Sequence, residues 1–158
     1  MRLSSLAATF GVVVLTLACG GGNSPTSPNN PNSGASGAGS MSASIDGSGW
    51  NAIAVSAGRS TGLLVIAGSD VQRTVTVSFA LNGTGTQTFG PAGVALGVVV
   101  IGGQSWQATG SGLGSGSVNI TMLTGNRAVG TFTFTAVGGQ GATPASRQVT
   151  NGRFDVRY

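Results

Sequence analysis

Across residues 41–158, apolar and polar side chains alternate one for one over short stretches, and glycine breaks the stretches apart. Thr131-Phe132-Thr133-Phe134-Thr135 alternates strictly, as does Arg73–Phe79, and Val118, Ile120 and Met122 alternate with Asn119 and Thr121. A period of two puts one face of a strand on a core and the other in water, as in antiparallel sheets. At the C-terminal end Phe154, Val156 and Tyr158 point one way, while Arg153, Asp155 and Arg157 point the other. Gly62–Ala67 and Val94–Ile101 are continuous apolar runs, so both are expected to be central strands. Turn chemistry falls between the stretches: Asp46-Gly47-Ser48-Gly49, Asn82-Gly83-Thr84-Gly85, and Thr124-Gly125-Asn126 as the clearest hairpin. No stretch has a 3.6-residue period with caps, and the many β-branched residues oppose helix. The expectation is an all-β fold, an antiparallel β-sandwich of eight to ten strands over residues 41–158.

The N-terminal part follows a different pattern. Arg2 precedes an apolar run, Leu6–Ala18, of 13 residues. That is short for a bilayer-spanning helix and suits the hydrophobic region of a secretory signal. The run ends in Leu15-Thr16-Leu17-Ala18-Cys19, which resembles the lipobox of bacterial lipoproteins. The resemblance implies cleavage before Cys19, a diacylglyceryl group on its thiol, and residues 1–18 as signal peptide. Gly20, rather than aspartate, after the cysteine resembles lipoproteins that are not retained in the inner membrane, which implies the outer membrane of the cell envelope. Residues 20–40 hold no large apolar side chain and cannot build a core. As a flexible coil this linker would span roughly 25 Å, enough to hold a domain just off a membrane surface. The organisation expected is therefore signal 1–18, lipidated Cys19 and linker 19–40, and domain 41–158.

Composition narrows the chemistry. The chain has 29 glycines and no histidine, and its only charged side chains are seven arginines and three aspartates. At 6% charged residues, against about 25% in ordinary soluble domains, its surface must be wetted by hydroxyls and amides. The formal charge of +4 is spread over scattered arginines with no run to track a phosphate backbone, so nucleic acid is not the expected partner. One cysteine forms no internal disulfide.

Motifs that resemble catalytic ones fail on context. Gly58-Arg59-Ser60-Thr61-Gly62 has the letters of a nucleophile elbow, but no histidine exists to take the serine proton and strands are expected on both sides. The Gly110–Gly116 stretch lacks the spacing, helix and lysine of a phosphate-cradling loop. Acid–base work would fall to Asp46, Asp70 and Asp155, two of them in turn positions and the third between arginines on an outward face. Neither a metal nor another cofactor is expected, and the domain is read as non-catalytic. Trp50 and Trp106 are read as core, like most large aromatics. Trp106, flanked by Gln104 and Gln107, is also the candidate for stacking on a sugar ring. The expected partner is therefore a membrane, through the lipid, with a polysaccharide or envelope protein as the candidate ligand.

A family resemblance completes the reading. Ala43, Ile45, Asp46, Gly47 and Trp50 match an A-x-[IV]-[DN]-G-x-x-W opening that resembles small bacterial lipoproteins carrying a domain of unknown function. Gly116–Thr121, Val129–Phe134 and Val149–Val156 resemble their later segments. This resemblance implies an exported β-sandwich and supplies no active site.

Overall fold

The computed structural model describes residues 36–90, 93–109 and 113–158. Cys19, the apolar run and the linker up to residue 35 lie outside them. Twelve strands follow in order: β1 (Ser36–Gly37), β2 (Gly39–Ile45), β3 (Ser48–Asn51), β4 (Ala54–Ser60), β5 (Leu63–Ser69), β6 (Arg73–Ala80), β7 (Gly85–Phe89), β8 (Leu96–Ile101), β9 (Gln104–Ala108), β10 (Ser115–Leu123), β11 (Arg127–Gly138) and β12 (Ser146–Arg157). No helix occurs among the described residues, and the all-β expectation holds.

Twelve segments exceed the eight to ten expected, for local reasons. The chain breaks between β3 and β4 at Ala52-Ile53, where its pairing partner changes from β2 to β5. There the Ala52 amide donates to the Met41 carbonyl at 2.9 Å and the Ile53 amide to that of Ser69 at 2.8 Å. The short strand β7 has a single large apolar residue, Phe89, and so carries no alternation to read.

The strands form two antiparallel runs. One has the order β4-β5-β6-β8-β9, the other β7-β10-β11-β12-β2-β3. The runs join into one curled sheet. At one corner β9 pairs with the end of β11, Gln107 opposite Val137 and Trp106 opposite Gly138. At another, β1 lies parallel to the start of β4 just before the chain enters β2. Strands that change sheet in this way form the corners of curled sandwiches. Both expected central strands, β5 and β8, are flanked on each side.

Three hairpins turn on two residues that both have positive φ: Asp46-Gly47 (49° and 82°), Thr61-Gly62 (47° and 81°) and Gly102-Gly103 (57° and 82°). This turn type matches the right-handed twist of the flanking strands. The Gly58–Gly62 motif is thus the β4–β5 hairpin, as its flanks implied.

The core lies between the two runs. Leu64, Ile66, Val75, Val77 and Val99 enter from the first, and Val118, Ile120, Val149 and Val156 from the second, all essentially fully buried. A row of rings crosses the interior. Phe79 of β6 stacks on Phe154 of β12 at 5.5 Å, Phe154 follows Phe132 at 6.4 Å, Phe132 follows Phe134 at 6.1 Å, and Phe89 meets Phe134 edge-on at 5.4 Å. Glycine makes room where rings lie against backbone. A Cβ on Gly152 would come within 2.5 Å of the Phe132 ring, and one on Gly97 within 3.0 Å of Phe134.

Candidate functional site

Trp106 does not offer a stacking platform. It is 1% exposed, its indole N–H donates to the Pro144 carbonyl at 2.7 Å, and the Arg147 guanidinium sits 4.6 Å from the centre of its ring. Arg147 of β12 lies over the ring where a sugar would stack, and the buried indole corrects the ligand reading and leaves the core reading. Gln104 and Gln107 are exposed, but they do not converge with it. Gln104 lines a shallow depression with Ser105 and the 139–142 loop segment, whereas Gln107, one residue from buried Trp106, lies on the opposite face of β9. Trp50 is also 1% exposed, and its indole N–H has no partner.

The aspartates are each committed to an arginine. Asp46 accepts from Arg147 Nη1 at 2.6 Å and from the Gln148 amide at 2.8 Å. It therefore ties the β2–β3 turn to β12 instead of capping its own backbone. Asp70 does serve its own turn, accepting from the amides of Gln72 (2.9 Å) and Arg73 (2.6 Å) and from Arg73 Nε at 2.8 Å. Burial pushes the Asp70 carboxyl up, but these hydrogen bonds and the Arg73 charge together pull it below its usual value. Asp155 takes neither of its strand neighbours. It binds Arg127 of β11 through two bonds, at 2.9 and 2.6 Å. The Arg127 hydrogen bonds hold the Asp155 carboxyl low and raise the guanidinium in return. The carboxylates sit in three different elements, and no group of three metal-ligating side chains occurs among the described residues.

A polar surface lies elsewhere, on the outward face of β10, β11, β12 and β2, and a bulge shapes it. Phe132 pairs with Gly152 and Phe134 with Val149, so Thr133 alone opposes both Thr150 and Asn151. Asn151 takes up the extra residue at φ 53°, a left-handed conformation that asparagine tolerates better than most residues. The Thr133 hydroxyl donates to the Val149 carbonyl at 3.1 Å beside it. Without the extra residue, Arg153 would share the inward parity of Val149. With it, Val149, Gly152, Phe154 and Val156 face the core while Arg153 faces out.

Two shallow depressions flank that arginine. One of about 260 Å³ is lined by Ser117, Asn119, Thr133 and Asn151, the other of about 440 Å³ by Ser40, Ser42, Thr121 and Asp155. Thr131 and Arg153 line both. Such a surface offers hydrogen-bond donors and acceptors and one cation, but no activated nucleophile. The sequence held a signal for it. Val149 and Phe154 are five residues apart, which strict alternation cannot place on one face, and Asn151-Gly152 between them is bulge chemistry.

A family model described as a domain of unknown function, DUF6252, matches residues 38–155. The chain belongs to the DUF6252 family. No match to a curated protein is found. The DUF6252 match spans β2 to β12, and the structure explains the opening motif read from the sequence. Ala43, Ile45 and Trp50 all face the core from the β2–β3 hairpin, with small Ala43 directly opposite the Trp50 ring. Asp46-Gly47 makes the turn, and the Asp46 carboxylate fastens the hairpin to β12.

Proposed function

We propose that this DUF6252 chain is a lipid-anchored lipoprotein of the bacterial cell envelope, seated in the outer membrane, whose β-sandwich binds or scaffolds and does not catalyse. The observation that carries the anchor is the position of the one cysteine. Cys19 directly follows a 13-residue apolar run and directly precedes a segment with no large apolar side chain. A thiol there is placed for lipidation, and a chain lacking apolar anchors after it suits a tether. The non-catalytic part rests on the carboxylates. With no histidine in the chain and every aspartate held by an arginine, no side chain is poised as a general base.

Labelling tests the anchor. The full chain expressed in a bacterium fed radiolabelled palmitate is expected to take up label and to sediment with membranes. The Cys19→Ala variant is expected to take up none. A native chain without label, or a variant labelled as strongly as the native chain, would refute lipidation.

A further inference from the structure

The described residues hold six arginines and three aspartates, and the charges are unevenly placed. Arg73 is neutralised by Asp70 in the β5–β6 turn, and Arg147 by Asp46 beside the β2–β3 turn. The other four arginines, Arg59, Arg127, Arg153 and Arg157, share one carboxylate, Asp155. The whole surplus of positive charge therefore gathers along β11 and β12 and at their end, where Arg59 lies over the Tyr158 ring at 4.6 Å. Arg127 and Arg157 stand directly opposite one another across the two strands, an arrangement that costs a sheet stability. Asp155 relieves Arg127. Arg153 and Arg157 are exposed and make no ion pair among the described residues.

Of these four arginines only Arg153 lines the two depressions, whose walls carry hydroxyls, amides and, in one of them, the Asp155 carboxylate already paired with Arg127. Together they cross β10, β11, β12 and β2, three inter-strand steps or roughly 14 Å. That is the span of an oligosaccharide rather than of a single small anion. Serine, threonine and asparagine side chains both donate and accept, as sugar hydroxyls do. The guanidinium between the depressions has the planar fork that carboxylates bind in bidentate fashion. A face made for a lipid surface would add protruding apolar groups to its cations. Of the large apolar side chains exposed among the described residues, Met122 alone lies within these four strands; Leu113 precedes β10, Val94 precedes β8, and Ile53 and Val71 stand beside β5 in the other run.

We propose that the outward face of β10, β11, β12 and β2 binds an acidic, uronate-bearing polysaccharide, with Arg153 holding a carboxylate and the Ser, Thr and Asn side chains holding ring hydroxyls. The inference rests on the reading of the domain as a binding module and names its ligand class and site.

Binding of the full chain, purified in detergent, to polygalacturonate tests it. Fully methyl-esterified polygalacturonate has the same sugars without charge, and phosphatidylglycerol vesicles represent an anionic lipid surface. The expected result is binding to the free acid polymer, weakened by salt and lost on esterification. Arg153→Gln should weaken it about tenfold, the loss of one charge-assisted hydrogen-bonded contact. Arg73→Gln, in the other run of strands, should leave it unchanged. Equal affinity for free and esterified polymer, or no effect of Arg153→Gln, would overturn the site while keeping a binding module. Binding to the vesicles and not to the polymer would replace the glycan with a membrane surface. Binding to no probe would overturn the inference and leave the lipid anchor to the palmitate experiment.

Discussion

Two equally buried tryptophans differ in one respect that stability measurements can read. Trp106 donates its indole N–H to Pro144 at 2.7 Å and lies under the Arg147 guanidinium, whereas the Trp50 N–H is buried without a partner. Replacing either by phenylalanine removes the same ring volume, so the cavity costs are of one size and largely cancel in the comparison. The polar terms do not cancel. Trp106→Phe loses a net hydrogen bond of about 0.5–1.5 kcal/mol and strands the Pro144 carbonyl. It also weakens a cation–π contact of about 0.5–1 kcal/mol. Trp50→Phe removes an orphaned donor, returning about 1–3 kcal/mol of desolvation cost. Trp106→Phe should therefore destabilise by about 2–5 kcal/mol more than Trp50→Phe. Urea unfolding of the full chain, followed by circular dichroism, measures both, and the denaturant slope should not change. Equal costs, or a larger cost at Trp50, would refute the reasoning.

Two further outcomes follow from the carboxylates and the bulge. Because Asp70 and Asp155 are held below the ordinary carboxylate value, the stability they contribute is present above the unfolded value near 3.9 and is lost as pH falls through their lower folded values. The chain has no histidine, lysine or glutamate, so unfolding free energy should stay level from about pH 5 to 9 and fall below about pH 4; a step near pH 6–7 would contradict this. Gly152→Ala, whose new methyl would meet the Phe132 ring at 2.5 Å, should cost about 1–3 kcal/mol, measured by thermal unfolding. No cost would mean that the bulge gives way freely.

What the sequence revealed was local. Alternation in Arg73–Phe79, Thr131–Thr135 and Arg153–Tyr158 identified strands and their inward faces, and Asp46-Gly47 and Thr124-Gly125-Asn126 marked turns, because period and turn chemistry are properties of neighbouring residues. What it hid was non-local. Asp46 finds its partner 101 residues away in Arg147, and Asp155 reaches across to Arg127 rather than to the arginines beside it. Trp106 was legible as core, but the glutamines beside it kept a stacking role open; its partners, the Pro144 carbonyl and the Arg147 guanidinium, are distant in sequence and no local pattern encodes them. The candidate surface lay between these cases. Its alternating charges were visible on β12, but its boundaries depend on which strands lie beside β12, and its phase on one extra residue at Asn151.

The scarcity of charge makes the position of each arginine informative. In a surface wetted by roughly a quarter charged residues, a few unpaired cations are ordinary solvation. Here hydroxyls and amides wet the surface, and each carboxylate serves the fold. One closes the β5–β6 turn, one fastens the β2–β3 hairpin to β12, and one bridges β11 and β12. Arg73, Arg127 and Arg147 are explained by those three pairings, and Arg59 by its place over Tyr158 and its 2.7 Å bond to the Gly125 carbonyl. Arg153 and Arg157 are not. Arg157 adds some attraction to Asp155 but stands directly opposite Arg127, Arg153 makes no ion pair among the described residues, and solubility alone would be served as well by spreading them over both runs of strands. Their concentration beside the hydroxyl-lined depressions is what a partner bearing negative charge would require.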